Sequence, residues 1–326
     1  MGVRVTLACG ATDRTLPLVL GDVRPAGIDL TFLRMYPEEV FWRMTRHAEF
    51  DAAEMSLSSY ILRRSRGDDA VLAIPVFTSR EFRHSCIWVR ADASIDTPAD
   101  LKGTRMGVPE YQMTAAVWIK GLLSDDFDVH PRDLQWFCGG LYQPGRVEKL
   151  PINIPGVDLR GIRADQTLSQ MLVDGQLDAI MGPRPPAGFP GPRVRRLFPN
   201  FREVEAEYYR RTGIFPIMHT IVIRRDLLDR EPWVARSLYD AFCESKRRAM
   251  AELTDPVVLA ATLPWQIAEV ESTIALMGAD YWPYGLEANR LALDTLVRYS
   301  REQGLAESTL AIESLFASST LDDYRI

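Results

Sequence analysis

Short β-rich runs alternate with helix-like segments along most of this 326-residue chain, and this alternation limits the possible folds more than any other feature. It predicts an α/β fold with parallel sheets covered by helices. After a run around residues 219–223 the pattern becomes helical almost throughout. The earlier predicted strands are residues 3–8, 28–33, 51–55, 71–76, 85–89, 105–108, 134–137, 157–162 and 177–181.

We expect the chain to cross between two lobes twice, once at residues 85–89 and once around residues 219–223. Lobe one is then discontinuous and comprises residues 1–88 and 222–326, while lobe two comprises residues 89–221. A chain of 326 residues is long enough for two domains of common size. Because ligands of open α/β sheets bind beyond the carboxyl ends of the strands, we expect a ligand cleft between the lobes.

Charge and motif content argue against several classes of function. The formal net charge is -6 and the pI is about 5.4, which favours neither nucleic acid nor a membrane as a partner. The N-terminus lacks a secretion signal, so we expect a cytoplasmic protein. The sequence contains no metal-type spacing of cysteine or histidine and no nucleotide-binding fingerprint, so we expect neither a metal nor a cofactor. The oligomeric state stays open, with a homo-oligomer as one alternative.

Four arginines lie just after predicted strands, and they are Arg14, Arg80, Arg83 and Arg184. A guanidinium group holds a carboxylate through two parallel hydrogen bonds, so this set suits a small dianionic ligand. For any one of these arginines taken alone, a surface ion pair is the simpler interpretation. Ser58 is suited to binding a phenolic hydroxyl, although a serine at this place is commonly only a helix cap.

Histidine is scarce, and two of the four histidines lie at the predicted crossings between the lobes. These are His84 and His219, whereas His47 and His130 lie in charged or turn-like segments. Histidine is the side chain that most readily donates a proton near neutral pH. The sequence does not separate a catalytic role for His84 and His219 from a structural role at a hinge.

Several segments together resemble 4,5-dihydroxyphthalate decarboxylases, and the likeness runs nearly from end to end. The segments that carry it are residues 7–10 (LACG), 54–60 (EMSLSSY), 82–85 (FRHS), 107–114 (GVPEYQMT), 211–219 (RTGIFPIMH) and 282–286 (WPYGL). The resemblance implies a type II periplasmic-binding-protein fold without export. It also implies that the substrate is a small aromatic dicarboxylate, 4,5-dihydroxyphthalate, which is converted to protocatechuate and carbon dioxide.

Such a reaction needs a general acid near the ring, a polarising group for the ring hydroxyl and a clamp for the remaining carboxylate. We assign the acid role to His84, with His219 as the competing candidate. Glu110 or Tyr111 would polarise the phenol. The carboxylate clamp would consist of Arg80, Arg83 and Arg184, supported by Arg14 and Ser58.

Three other functions remain compatible with the sequence. The main one is a solute-binding protein that holds a small aromatic carboxylate without transforming it, because one fold serves many functions. The second is an effector-sensing regulatory domain, although the chain has no helix-turn-helix segment. The third is a decarboxylase or lyase that acts on a related hydroxyarene acid.

Overall fold

The computed structural model describes residues 2–308 and 310–321. These residues form two compact units. The first unit contains residues 2–80, Ile217–Leu293 and residues 310–321, and the second contains Glu81–Pro216 and residues 294–308. Within the described ranges, no helix is long and apolar enough to cross a membrane.

The helices and strands follow the alternation that the sequence predicts. The strands are β1 (Val3–Cys9), β2 (Ile28–Arg34), β3 (Ala52–Ser56), β4 (Val71–Arg80), β5 (Ile87–Arg90), β6 (Arg105–Val108), β7 (Gln135–Cys138), β8 (Asp158–Gly161), β9 (Ala179–Met181), β10 (Val194–Arg196) and β11 (Ile217–Arg224). The α-helices are α1 (Leu16–Leu20), α2 (Pro37–His47), α3 (Leu57–Ser65), α4 (Thr114–Phe127), α5 (Leu168–Val173), α6 (Phe201–Thr212), α7 (Arg225–Arg230), α8 (Trp233–Leu253), α9 (Gln266–Met277) and α10 (Arg290–Glu302).

The first unit is built on a five-stranded sheet with the order β2-β1-β3-β11-β4. Strand β1 runs parallel to both β2 and β3, as predicted, whereas β11 runs antiparallel to β3 and β4. The prediction of parallel sheets is therefore wrong at β11. This strand enters the sheet after the chain has passed through Glu81–Pro216 of the second unit, so no local crossover helix imposes a parallel direction.

The second unit is built on a six-stranded sheet with the order β10-β5-β9-β6-β7-β8. Strands β6 to β9 are mutually parallel where they pair, but β5 is antiparallel to β9 and to β10. The sequence did not predict β10, because Val194–Arg196 is only three residues long and contains two arginines. A short polar edge strand of this kind has almost no apolar periodicity.

The sequence placed the borders of lobe two at residues 89 and 221, whereas the second unit spans Glu81–Pro216 and also includes residues 294–308. Tyr299 of α10 explains the additional segment. Its ring packs edge-on against Trp118 of α4 at a centroid distance of 5.6 Å. Its hydroxyl group donates a hydrogen bond to Asp125 at 2.7 Å. The middle of α10 is therefore part of the second unit's core.

The register of the first unit's sheet brings polar residues of β3 and β11 close together. Glu54 pairs with Ile221, and Ser56 pairs with His219. Side chains two residues apart on a strand point to the same face, so Glu54 and His219 are diagonal neighbours on one face. Strand β3 is buried along its whole length, and α3 begins directly after it at Leu57.

Candidate active site

A histidine and a carboxylate form the central pair of the candidate site in the first unit. Nδ1 of His219 lies 2.8 Å from Oε1 of Glu54. The Glu54 side chain is 4% exposed, while that of His219 is 22% exposed. The ring of Phe41 meets the imidazole edge-on at a centroid distance of 4.7 Å. The imidazole is therefore held on two sides and still reaches solvent.

Glu54 is ionised in spite of its burial. Burial by itself raises the pKa of this carboxyl group, but hydrogen bonds from His219, Gly10 and Thr78 and the charge of His219 outweigh it. Together they lower the pKa of Glu54 to about 2. At neutral pH the group is a carboxylate that accepts hydrogen bonds at both oxygens.

Arg14 reaches the same group of residues through Thr78. Its Nη2 donates to the carbonyl oxygen of Thr78 at 3.1 Å, and the Thr78 hydroxyl donates to Oε1 of Glu54 at 2.9 Å. The guanidinium group stacks over the ring of Trp282 at 3.8 Å and pairs with Asp13 at 2.7 Å. The Nε–H group of Arg14 is buried and has no hydrogen-bond partner in residues 2–308 and 310–321. Arg14 thus retains one N–H donor, at Nε, without a partner in those residues.

The other predicted site residues of the first unit have structural contacts. Arg80 is 6% exposed and donates to the carbonyl oxygen of Pro283 at 2.8 Å and to the side chain of Asn289. Ser58 is 1% exposed within α3. Of the predicted residues in this unit, Arg14 and His219 therefore belong to the hydrogen-bonded network around Glu54, and Arg80 stabilises the turn before α10.

In the second unit, His84 is surrounded mainly by aromatic rings. It is 2% exposed, and its ring meets those of Phe198 and Tyr208 at centroid distances of 5.5 and 5.3 Å. Burial, followed by the charge of Arg211, lowers the pKa of His84 to about 4. The His84 imidazole is therefore neutral at pH 7. His84 also lines a cavity of about 590 Å³ that includes Tyr208, Arg211 and Asp126.

Glu110 and Tyr111 lie between β6 and α4 in the second unit. Glu110 is 1% exposed and forms ion pairs with Arg146 at 2.6 Å and Lys149 at 2.5 Å. The Tyr111 ring is fully buried, and Nζ of Lys120 lies 3.0 Å from its centroid. Burial raises the pKa of the Tyr111 hydroxyl. Both side chains are therefore engaged in the interior of their own unit.

The remaining predicted arginines also lie in the second unit. Arg83 is 4% exposed, and its Nη1 forms an ion pair with Glu81 at 2.9 Å. It precedes the short 3₁₀ turn His84–Cys86. Arg184 follows β9 and is half-buried. The structure thus divides the predicted residues, with Arg14, Ser58, Arg80 and His219 in the first unit and Arg83, His84, Glu110, Tyr111 and Arg184 in the second.

Sequence reasoning did not select Glu54 and Thr78 as site residues. The available signal was a single charged residue within the otherwise uncharged strand β3. A buried carboxylate in a central strand needs hydrogen-bond donors, so it marks a polar site more strongly than an exposed arginine does. In residues 2–308 and 310–321, no group of three or more His, Cys, Asp or Glu side chains is placed to hold a metal ion.

Solved structures of periplasmic binding proteins share this architecture. The periplasmic aliphatic sulphonate-binding protein SsuA of Escherichia coli has a TM-score of 0.55 and 13% identity, covering 98% of this chain and 99% of that chain. The alkanesulfonate-binding protein SsuA of Xanthomonas axonopodis pv. citri has a TM-score of 0.50 and 10% identity, covering 97% of both chains. The chain therefore has a periplasmic-binding-protein-like α/β fold, as the sequence predicted.

Sequence comparison identifies the family more closely, although no family model matches the chain. The 4,5-dihydroxyphthalate decarboxylase of Comamonas testosteroni is 40% identical over 327 residues, and the alignment covers 99% of both proteins. The protein of the same name from Pseudomonas putida is 41% identical over 211 residues, covering 64% of this chain and 82% of that protein. This chain belongs to the 4,5-dihydroxyphthalate decarboxylase family.

Proposed function

We propose that this protein is a carboxy-lyase that converts 4,5-dihydroxyphthalate into protocatechuate and carbon dioxide. The Comamonas testosteroni relative with this name matches over 99% of the chain. One structural observation carries the chemical part of the proposal. A partly exposed imidazole, His219, is paired with the ionised carboxylate of Glu54 and is connected through Thr78 to the guanidinium group of Arg14. This arrangement combines a proton donor with a group that binds carboxylates.

Direct loss of carbon dioxide from an arene would leave an unstabilised aryl carbanion. The ring hydroxyl para to the departing carboxylate avoids this, because it supplies electron density to the carbon that carries that carboxylate. Protonation of this carbon breaks the aromaticity of the ring. When carbon dioxide leaves, the electron pair of the broken C–C bond restores it. The enzyme must therefore deliver one proton to one ring carbon and hold the second carboxylate in place.

Within this mechanism, His219 is the general acid and Arg14 binds the carboxylate that remains. The structure gives His219 two advantages over His84 for this role. Its side chain is 22% exposed, so a substrate can reach it, and its Nδ1 is hydrogen-bonded to the carboxylate of Glu54. His84 is 2% exposed, and burial lowers its pKa to about 4, so at neutral pH it is a neutral imidazole without the acidic proton of an imidazolium.

The direct test is to incubate the purified protein with 4,5-dihydroxyphthalate and to measure released carbon dioxide and protocatechuate. In deuterium oxide, the product should carry one deuterium at the ring carbon that lost its carboxylate. Phthalate, which lacks the para hydroxyl, should bind without reacting. Binding of 4,5-dihydroxyphthalate without release of carbon dioxide would contradict the proposal and would support the alternative of a solute-binding protein.

Three further sequence-based statements remain predictions. They are the cytoplasmic location, a reaction without a cofactor, and a homo-oligomer as one alternative for the oligomeric state. Glu110 or Tyr111 as the group that polarises the phenol, and Arg80, Arg83, Arg184 and Ser58 as further substrate contacts, also remain predictions.

A further inference from the structure

Among the residues that the structure describes, four donors surround the carboxylate of Glu54. The backbone N–H of Gly10 donates to Oε2 at 2.9 Å, and the thiol of Cys9 lies 3.4 Å from the same oxygen. The hydroxyl of Thr78 donates to Oε1 at 2.9 Å, and Nδ1 of His219 lies 2.8 Å from it. Glu54 is 3% exposed, so these contacts replace water at both oxygens.

The protonation states of these neighbours determine which of them can be donors. The Gly10 amide can only donate. Burial, followed by the charge and hydrogen bond of Glu54, raises the pKa of the Cys9 thiol, so Cys9 keeps its proton. Because the pKa of Glu54 is lowered to about 2, the carboxylate has no proton to give to His219. The hydrogen in the 2.8 Å contact therefore belongs to Nδ1 of His219.

We propose that Glu54 is a positioning residue that keeps a proton on Nδ1 of His219, so that Nε2 is the atom that transfers the proton to the substrate ring. This inference rests on the proposed decarboxylation and specifies how its acid is prepared. Nε2 has no hydrogen-bond partner in the part of the chain that the structure describes. The imidazole ring is oriented by the Glu54 contact and by the edge contact with Phe41.

The proton transfer balances without any further reactant. The Nε2–H bond of the imidazolium breaks, its electron pair stays on Nε2, and the proton bonds to the ring carbon. The electron pair of the C–C bond returns to the ring as carbon dioxide leaves. His219 is then a neutral imidazole that still carries its proton on Nδ1, and solvent returns the second proton to Nε2. Glu54 stays ionised throughout and does not touch the substrate.

Replacement of Glu54 by Gln tests this role directly. A glutamine amide has only one acceptor oxygen, so its NH₂ group must face either the Gly10 amide or the Thr78 and His219 donors. We expect kcat for 4,5-dihydroxyphthalate to fall by at least about 100-fold, the scale of general acid catalysis, with KM changed by less than about 3-fold. Glu54→Asp retains the charge on a shorter side chain and should restore part of the lost kcat.

A spectroscopic measurement distinguishes positioning from a merely structural role. The chain has 4 histidines, so ¹⁵N-labelled imidazole signals can be assigned with a His219→Asn variant. In the neutral imidazole of the wild-type protein, the proton of His219 should lie on Nδ1. In Glu54→Gln, His219 should become a mixture of the two tautomers or shift to the Nε2–H form. An unchanged Nδ1–H signal in Glu54→Gln would overturn the inference.

Asp51 offers a matched control, because it is a carboxylate that directly precedes β3, the strand that contains Glu54. It accepts hydrogen bonds from the backbone and hydroxyl groups of Thr6 at 2.9 and 2.8 Å and has no contact with His219. Asp51→Asn should leave kcat within about 2-fold of the wild type. A similar loss of kcat in both variants would indicate general damage to the sheet and would contradict a specific role of Glu54.

The outcomes separate this inference from the proposed function. If wild-type protein releases no carbon dioxide, the proposed function fails, while the imidazole spectrum still reports whether Glu54 fixes the tautomer. If wild-type protein is active and Glu54→Gln keeps its kcat, the function stands and the positioning role is wrong. If Glu54→Gln does not fold, Glu54→Asp supplies the kinetic test. A wild-type kcat in Glu54→Asp, together with a mixture of His219 tautomers, would also contradict the positioning role of Glu54.

Discussion

Glu54 and His219 are diagonal neighbours on one face of two antiparallel strands, with 2.8 Å between Oε1 and Nδ1. They are 165 residues apart in the sequence. Glu54 is almost completely buried, whereas the His219 ring reaches solvent. The buried carboxylate therefore orients a ring whose other side a substrate can reach.

The two candidate histidines should differ sharply in their effect on turnover. We expect His219→Asn to lower kcat by about 10²- to 10⁴-fold, because it removes the general acid. His84→Leu should keep kcat within about 3-fold, because the His84 ring packs against Phe198 and Tyr208 and is neutral at pH 7. Steady-state measurements of carbon dioxide release check both variants. The reverse ranking would assign the acid role to His84.

Arg14 should act on substrate binding more than on chemistry. Arg14→Lys keeps the positive charge but loses the planar pair of donors and the stacking over Trp282. Loss of a charge-assisted hydrogen bond is worth about 1.5 to 3 kcal/mol, so KM should rise by roughly 10- to 100-fold with kcat within about 3-fold. The exposed Arg24 provides the control, and Arg24→Lys should leave KM unchanged. A fall in kcat at constant KM would contradict the clamp role of Arg14.

Glu148 should make the stability of the protein depend on pH. Burial, followed by the nearby carboxylate of Glu110, raises the pKa of Glu148 from 4.5 to about 7. Between these values the native state holds a proton that the unfolded chain has lost, so the stabilisation from this group decreases as pH rises through this window. Glu148→Gln has no such titration. Its stability relative to the wild type should therefore increase by about 1 to 3 kcal/mol from pH 5 to pH 8.

Urea unfolding of both proteins at pH 5, 6, 7 and 8 measures this difference. The carboxylate of Glu148 accepts a hydrogen bond from the backbone N–H of Tyr111, and the glutamine carbonyl can replace that acceptor. The variant should therefore fold in the same way. A stability difference that stays constant from pH 5 to pH 8 would show that Glu148 is ionised across the whole range.

His84 should make the stability of the protein decrease as pH falls, which is the opposite of the effect of Glu148. Its pKa falls from 6.5 to about 4 in the folded protein, so the unfolded chain binds a proton first as the solution is acidified. Stability from this group is therefore lost as pH falls from about 6.5 to 4. Relative to wild type, His84→Leu should be about 1 to 2 kcal/mol more stable at pH 5 than at pH 7.5. Thermal or urea unfolding of both proteins at pH 5 and pH 7.5 tests this. If the difference in stability between His84→Leu and the wild type is the same at both pH values, the prediction is wrong.

Gly121 should be intolerant of the smallest side chain. A Cβ at this position would lie 2.2 Å from two ring carbons of Tyr299, which is held by Trp118 and Asp125. Gly121→Ala improves helix propensity by about 1 kcal/mol, but overpacking and displacement of the ring should leave a net loss of about 1 to 3 kcal/mol. Gly161→Ala is the matched control, because its Cβ would meet no atom within 4 Å. Equal unfolding midpoints for the two variants would contradict the packing argument.

The order of strands and helices was predictable because it depends on local patterns. Strand β6 lies at the predicted residues 105–108, and most other predicted strands differ from the structure by one or two residues at their ends. The direction of β11 was not predictable, because it depends on where the chain returns from the second unit. The short β10 was missed because two of its three residues are arginines.

Local sequence patterns specify the α/β architecture, the family and the residue types available for the chemistry, including Arg14 and His219. These follow from periodicity and from segment likeness, which are properties of neighbouring residues. Which side chains meet depends on how distant segments pack in the folded protein. This packing joins Glu54 to His219 across two strands and encloses His84 between aromatic rings. Strand register and burial determine hydrogen-bond partners and proton affinities, and both arise only when segments distant in the chain pack together.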